Sequence, residues 1–218
     1  ATDKPNHLLT TTVLHTLPRY ILILPDLPSV GNGVVRQQFD NAIVSRLPVK
    51  QVLRHSLPWP ADSGKPSMLR VALEAVIETD VGPLRVISTH LEFYSEKQRL
   101  AQVTRLRELH AEACAHARLP AKAESRASPF ADTARPTPAI LCGDFNSAFD
   151  DSAYCEMLAP IPDTPSFVDA WTCVHPGGAP RRDGRLLTTA TSGLSGLTDR
   201  SVRLRVRDGG PEAAHRGM

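Results

Sequence analysis

The chain has 218 residues, 41% hydrophobic and 22% charged, with a formal net charge of +2, which bounds it to one domain with enough apolar material for a core. So small a positive excess excludes an overall electrostatic demand for nucleic acid, and no apolar run approaches the roughly 18 residues that a membrane span needs. The four cysteines (Cys114, Cys142, Cys155, Cys173) form no CxxC pair and no zinc-type spacing. Free thiols suit a reducing compartment, and no signal-peptide pattern follows Ala1, so a cytoplasmic location is expected.

In chain order, residues 19–24 (RYILIL) are an apolar run stopped by Pro25-Asp26, which predicts a buried strand. A polar, glycine-containing loop over 31–40 leads into a second strand at 41–45, and an extended stretch follows Pro48. Over 69–77 the odd positions Leu69, Val71, Leu73, Ala75 and Ile77 are apolar, with Arg70, Glu74 and Glu78 between or after them. This period of two predicts a half-buried strand. The turn Asp80-Val81-Gly82-Pro83 sends the chain back through 84–88 as an antiparallel hairpin.

The clearest helix comes next. Ser95 and Gln98 fit a capping box, and Leu100, Val103, Leu106 and Leu109 recur at helical spacing to about Ala117. Residues 118–138, rich in Ala, Ser, Pro and charge, read as a surface insertion. An apolar strand over 139–142, a short helix over 151–158 and a packed segment over 167–174 complete the patterned part. From Arg181 onward eight arginines face four acids, no aromatic occurs, and hydrophobic periodicity is weak. The stretch 181–218 therefore reads as an irregular Arg-rich tail, after a domain spanning 1–180.

Three places carry candidate chemistry. In Gly143-Asp144-Phe145-Asn146 an apolar strand ends in a carboxylate, with an amide two residues on. In an extended chain residues i and i+2 project to one side, so Asp144 and Asn146 together can orient a water, bind a hard cation and hold a phosphate oxygen. An Asx-turn ending a strand is the other reading of the same residues. His90, at the end of the hairpin's return strand, can donate to a phosphoryl oxygen that gains charge, or serve structure alone. Asn41 and Arg46 flank a strand, and Arg46 suits either a phosphate or a surface acid.

Taken together and in this order, Asn41-Ala42-Ile43-Val44-Ser45-Arg46, Ser88-Thr89-His90-Leu91-Glu92 and Gly143-Asp144-Phe145-Asn146 resemble blocks of the endonuclease/exonuclease/phosphatase superfamily. Asp169-Ala170-Trp171 with His175-Pro176-Gly177 is similar to a further segment of that family, and the match covers roughly residues 30 to 180. The resemblance implies a four-layer α/β sandwich, two mostly antiparallel sheets face to face with helices outside. It implies that Asp144 orients or deprotonates the attacking water, that Asn146 holds the scissile phosphate, that His90 joins the pocket for the phosphate oxygens, and that Asn41 supports the floor. The implied cofactor is Mg²⁺ or Mn²⁺, with Asp144 as a ligand. The implied partner is a phosphoester substrate, whether nucleic acid, phospholipid or small molecule, and a monomer is expected.

The pattern departs from the family at both ends. Its opening asparagine, its metal-binding glutamate and its closing Ser-Asp-His block find no counterpart here, so edge strands of the sandwich are expected to be missing. Two outcomes follow from the sequence: a metal-dependent phosphoesterase, or a catalytically inactive fragment or pseudoenzyme of the same superfamily.

Overall fold

The computed structural model describes residues 20–25, 40–120, 135–177 and 189–190. Loop 31–39, most of the insertion and nearly all of the Arg-rich tail lie outside the described residues. The strands read from the pattern are present as β1 (Tyr20–Pro25), β2 (Asp40–Ser45), β3 (Val49–Ser56), β4 (Val71–Thr79), β5 (Gly82–His90) and β6 (Ala139–Asp144). Two short strands, β7 (Val168–Asp169) and β8 (Thr189–Ala190), join them, the second from within the stretch read as tail. The helices are α1 (Glu96–Ala117), α2 (Ser152–Leu158) and α3 (Ala170–Val174). No helix among the described residues is long and apolar enough to cross a membrane.

β1 and β2 pair antiparallel as one sheet, and the second sheet has the order β3-β4-β5-β6-β8-β7. Every pairing is antiparallel except β5 with β6, which run parallel. Two apolar clusters lie on opposite faces of the larger sheet. On one, Ala72, Ile87 and Leu141 meet Val103 and Leu106 of α1 and Met157 of α2. On the other, Leu73, Ala75, Val86 and Ile140 meet Ile43 of β2. The molecule is thus an α/β sandwich with a mixed sheet, helices on its outer face and the β1–β2 sheet on its inner face. Three of the four expected layers are seen among the described residues.

The half-buried strand expected over 69–77 is a correction. Residues 71–77 of β4 are buried on both faces, because the strand lies between α1 and β2. The position that looked solvated, Glu74, is 1% exposed. Its Oε1 accepts from Nε of Arg85 at 2.7 Å and its Oε2 lies 2.9 Å from Nε2 of His55. Arg85 continues the chain to Nδ1 of His110 on α1 at 3.2 Å. A carboxylate survives burial only with such partners. Burial alone would raise the Glu74 pKa, but the hydrogen bonds and the positive charge of Arg85 outweigh it and hold it at about 2.

Helix α1 starts where the sequence said, with the Ser95 hydroxyl accepting from the Gln98 backbone N–H at 3.1 Å. Only half of the capping box forms. The Gln98 side-chain amide turns instead to the carbonyl of Pro60 and the hydroxyl of Ser67, at 2.9 and 3.3 Å. The amide hydrogens thus go to two half-buried acceptors on the adjoining loop, while Oε1, which would accept the Ser95 N–H in a full box, is left without a partner among the described residues. Arg107 reaches across to the C-terminal end of α2, donating to the carbonyls of Glu156 and Ala159 at 2.6 Å, and so satisfies acceptors that a helix end leaves open.

Candidate functional site

The parallel pairing of β5 with β6 builds the site. Parallel strands end at the same level, and their register sets Thr89 against Gly143 and His90 against Asp144. Gly143 permits this approach: with φ of +142° it sits where side chains are rare, and a Cβ there would overlap the Thr89 carbonyl. One residue on, the Leu91 N–H donates to the Asp144 carbonyl at 2.9 Å. Nε2 of His90 then lies 3.8 Å from Oδ2 of Asp144, with both side chains about one-third exposed, at 30% and 34%. An imidazole and a carboxylate within reach of one small ligand, and of water, can share the handling of a proton and a charged oxygen.

Asn146 reaches the same place by a route other than the extended geometry expected. β6 ends at Asp144, and Asn146 has φ of +48°. The chain closes an Asx-turn in which Oδ1 of Asp144 accepts from the Asn146 N–H at 3.0 Å. Phe145 between them is buried in the helix-side core. The Asn146 side-chain amide donates to the Leu91 carbonyl at 2.8 Å, which ties the turn to the end of β5. An amide nitrogen carries two hydrogens, so this bond leaves one for a ligand.

Asn41 is buried, and its amide donates to the Val71 carbonyl at 3.1 Å. The Thr89 hydroxyl donates to that same carbonyl, also at 3.1 Å. One acceptor at the start of β4 therefore gathers β2 and β5 beneath His90. Arg46 is exposed just past the far end of β2. Five residues of extended chain, about 16 Å, separate it from Asn41, so the structure does not bring the two together.

Sequence reading passed over the loop after His90. Glu92 is 1% exposed; its Oε1 accepts from the backbone N–H groups of Phe93 and Tyr94 at 2.9 and 3.1 Å, and its Oε2 faces Nε of Arg70 at 3.5 Å. Arg99 of α1 clamps the same turn, donating to the carbonyls of Glu92 and Phe93 at 3.0 and 3.1 Å. A glutamate two residues after a strand-ending histidine is the one signal that pointed there. Asp169, in the block Asp169-Ala170-Trp171, caps α3 by accepting from the Trp171 N–H at 2.8 Å and takes the Tyr154 hydroxyl at 2.8 Å.

Among the described residues no group of three His, Cys, Asp or Glu side chains could hold a metal ion. Asp144 has one oxygen on a backbone N–H and the other facing His90, and Mg²⁺ favours an octahedron of oxygens. These donors do not by themselves make a site for Mg²⁺ or Mn²⁺.

No family model and no curated protein matches the sequence. Among solved structures, the catalytic domain of human Nocturnin with a bound sulfate anion superposes with a TM-score of 0.51 at 11% identity, over 79% of this chain and 60% of that one. The likeness is one of fold: over the part that superposes, the chain folds as the Nocturnin catalytic domain does. A conserved protein of unknown function from Enterococcus faecalis V583 matches at 21% identity and a TM-score of 0.44, over 68% of this chain and 51% of that one. An endonuclease/exonuclease/phosphatase family protein from Bacteroides thetaiotaomicron matches at 18% and 0.41, over 62% and 44%. The chain thus spans between 44% and 60% of the lengths of these proteins.

Proposed function

We propose that the chain is a phosphoester hydrolase of the phosphodiesterase or endonuclease kind. The observation that carries this reading is the register of His90 with Asp144 across the parallel pair β5–β6, with Asn146 folded back against both strand ends. Asp144 orients the attacking water and takes its proton as the water oxygen bonds to phosphorus. His90 donates to a phosphoryl oxygen while charge builds there, and the remaining N–H of Asn146 holds another. The ester oxygen departs with the bond it loses and takes a proton from solvent. Asn41 acts through the floor, by fixing Val71 beneath Thr89. Arg46, at the far end of β2, serves at most an outlying contact with a long substrate.

The substrate class is a nucleic acid, a phospholipid or a small phosphoester. Mg²⁺ or Mn²⁺, which the family resemblance implies, would need ligands beyond those described, and no step above is routed through it. A second reading, a catalytically inactive fragment or pseudoenzyme, draws on that same lack of a three-ligand cluster among the described residues. Hydrolysis of bis-p-nitrophenyl phosphate, with and without Mg²⁺ or Mn²⁺, separates the two. Turnover that Asp144→Ala abolishes supports the hydrolase; no turnover under any of these conditions supports the inactive relative. Turnover that survives Asp144→Ala removes the role given to Asp144.

A further inference from the structure

Three residues after His90, two large aromatic side chains stand in solvent. Phe93 is 59% exposed and Tyr94 57% exposed. Their rings meet edge to face, with centroids 4.9 Å apart and planes at 87°. Neither belongs to the apolar core on either face of the sheet, so packing does not account for them.

The turn that carries them is held rigid from below. The buried Glu92 carboxylate takes both of their N–H groups, Arg99 takes the carbonyls of Glu92 and Phe93, and Ser95 then caps α1. The turn is also fastened to the candidate site: Leu91 accepts from Asn146 and donates to the Asp144 carbonyl. Phe93 and His90 are three residues apart, so their Cα atoms lie within about 11 Å. A preorganised aromatic pair at that distance from a phosphate-handling histidine loses little entropy on binding.

We infer that Phe93 and Tyr94 form a stacking subsite for a planar ring carried by the phosphoester, so that the preferred substrates are nucleoside phosphates rather than phosphates of plain sugars or alcohols. The inference rests on the hydrolase reading above and deepens it. In an edge-to-face pair the faces not turned to the partner ring remain open, and a base stacks on such a face whatever its sequence identity. The polar surroundings favour this ligand over a lipid surface. Ser95 and Asp62 bond to one another beside the pair, and Lys65 on the loop of Asp62 and Glu96 and Lys97 at the start of α1 are exposed. Charges of both signs give no net attraction for an anionic bilayer.

The test uses the full chain and calorimetric titration with adenosine 5′-monophosphate, ribose 5-phosphate and inorganic phosphate. The nucleotide should bind at least about tenfold more tightly than ribose 5-phosphate. Phe93→Ala with Tyr94→Ala should remove that advantage without lowering the melting temperature, since both rings are exposed. Equal binding of the two sugar phosphates, weakened alike by His90→Ala, overturns the stacking subsite and leaves the phosphate site standing. If none of the three ligands binds, the subsite falls, while the hydrolase reading stands or falls on the turnover of bis-p-nitrophenyl phosphate. If the double variant instead loses binding to phosphatidylcholine vesicles while the wild type shows no nucleotide preference, the pair serves a lipid and the inference is wrong.

Discussion

Gly143 and Thr89 face each other across β5 and β6 so closely that the Thr89 carbonyl carbon would lie 2.8 Å from a Cβ at Gly143. This contact lets the two strands finish level, and on that level His90 and Asp144 depend. Gly143→Ala should therefore cost stability through both the clash and the φ of +142°, by more than about 3 kcal/mol. A urea midpoint within error of the wild type would show that the strands can part here without penalty.

The pair Glu74–Arg85 should behave as a buried ion pair. Arg85 is fully buried and Glu74 nearly so, and removing one partner strands the other charge. Glu74→Gln or Arg85→Met alone should cost about 3–5 kcal/mol. The combination Glu74→Leu with Arg85→Met should cost less than either single change, because the two most deeply buried charges of the cluster leave together and the contact of Arg135 with Glu74 that is lost without compensation is a longer one, at 3.9 Å. Chemical denaturation of the three variants decides it; strictly additive losses would mean that the two side chains act independently.

What the sequence made legible follows its local patterns. Ser95 announced α1, and the apolar runs announced β1, β2 and β6. Glu74 was misread because a single polar residue in an alternating strand looks solvated whether it faces water or a buried guanidinium, and its partners Arg85 and His55 lie 11 and 19 residues away in sequence. The site itself was legible as residue types but not as geometry. Nothing local reveals that β5 pairs in parallel with a strand some 50 residues later. Asn41 and Arg46 seemed companions through nearness in sequence, yet an extended strand is the conformation that carries near residues farthest apart.

Stability should fall with acid in two overlapping windows. Burial, helped by the positive charge of Arg85, pushes His110 from 6.5 down to about 4. The unfolded chain then binds a proton that the folded one refuses, so stability declines as pH falls from 6.5 to 4. Glu74, held at about 2 against a usual 4.5, contributes stability that is complete above 4.5 and is lost as pH falls towards 2. Urea midpoints across this range should decrease continuously, and His110→Asn should flatten the upper part. A pH-independent midpoint between 6.5 and 4 would mean that His110 is protonated in the folded protein.

Asn146 offers a way to part geometry from chemistry at the candidate site. Its φ of +48° is one that glycine accepts freely and alanine does not. Asn146→Gly should keep the Asx-turn, whose bond uses the backbone N–H of residue 146, while deleting the side-chain amide. The expected result is a melting temperature close to that of the wild type, with kcat/KM for bis-p-nitrophenyl phosphate reduced about 10²-fold. Asn146→Ala should lose the same activity and also some stability, by about 1 kcal/mol. Full activity in the glycine variant would remove the phosphate-holding role given to Asn146 and leave it only the tie to Leu91. A glycine variant as destabilised as the alanine one would mean instead that this tie, and not backbone conformation, holds the turn in place.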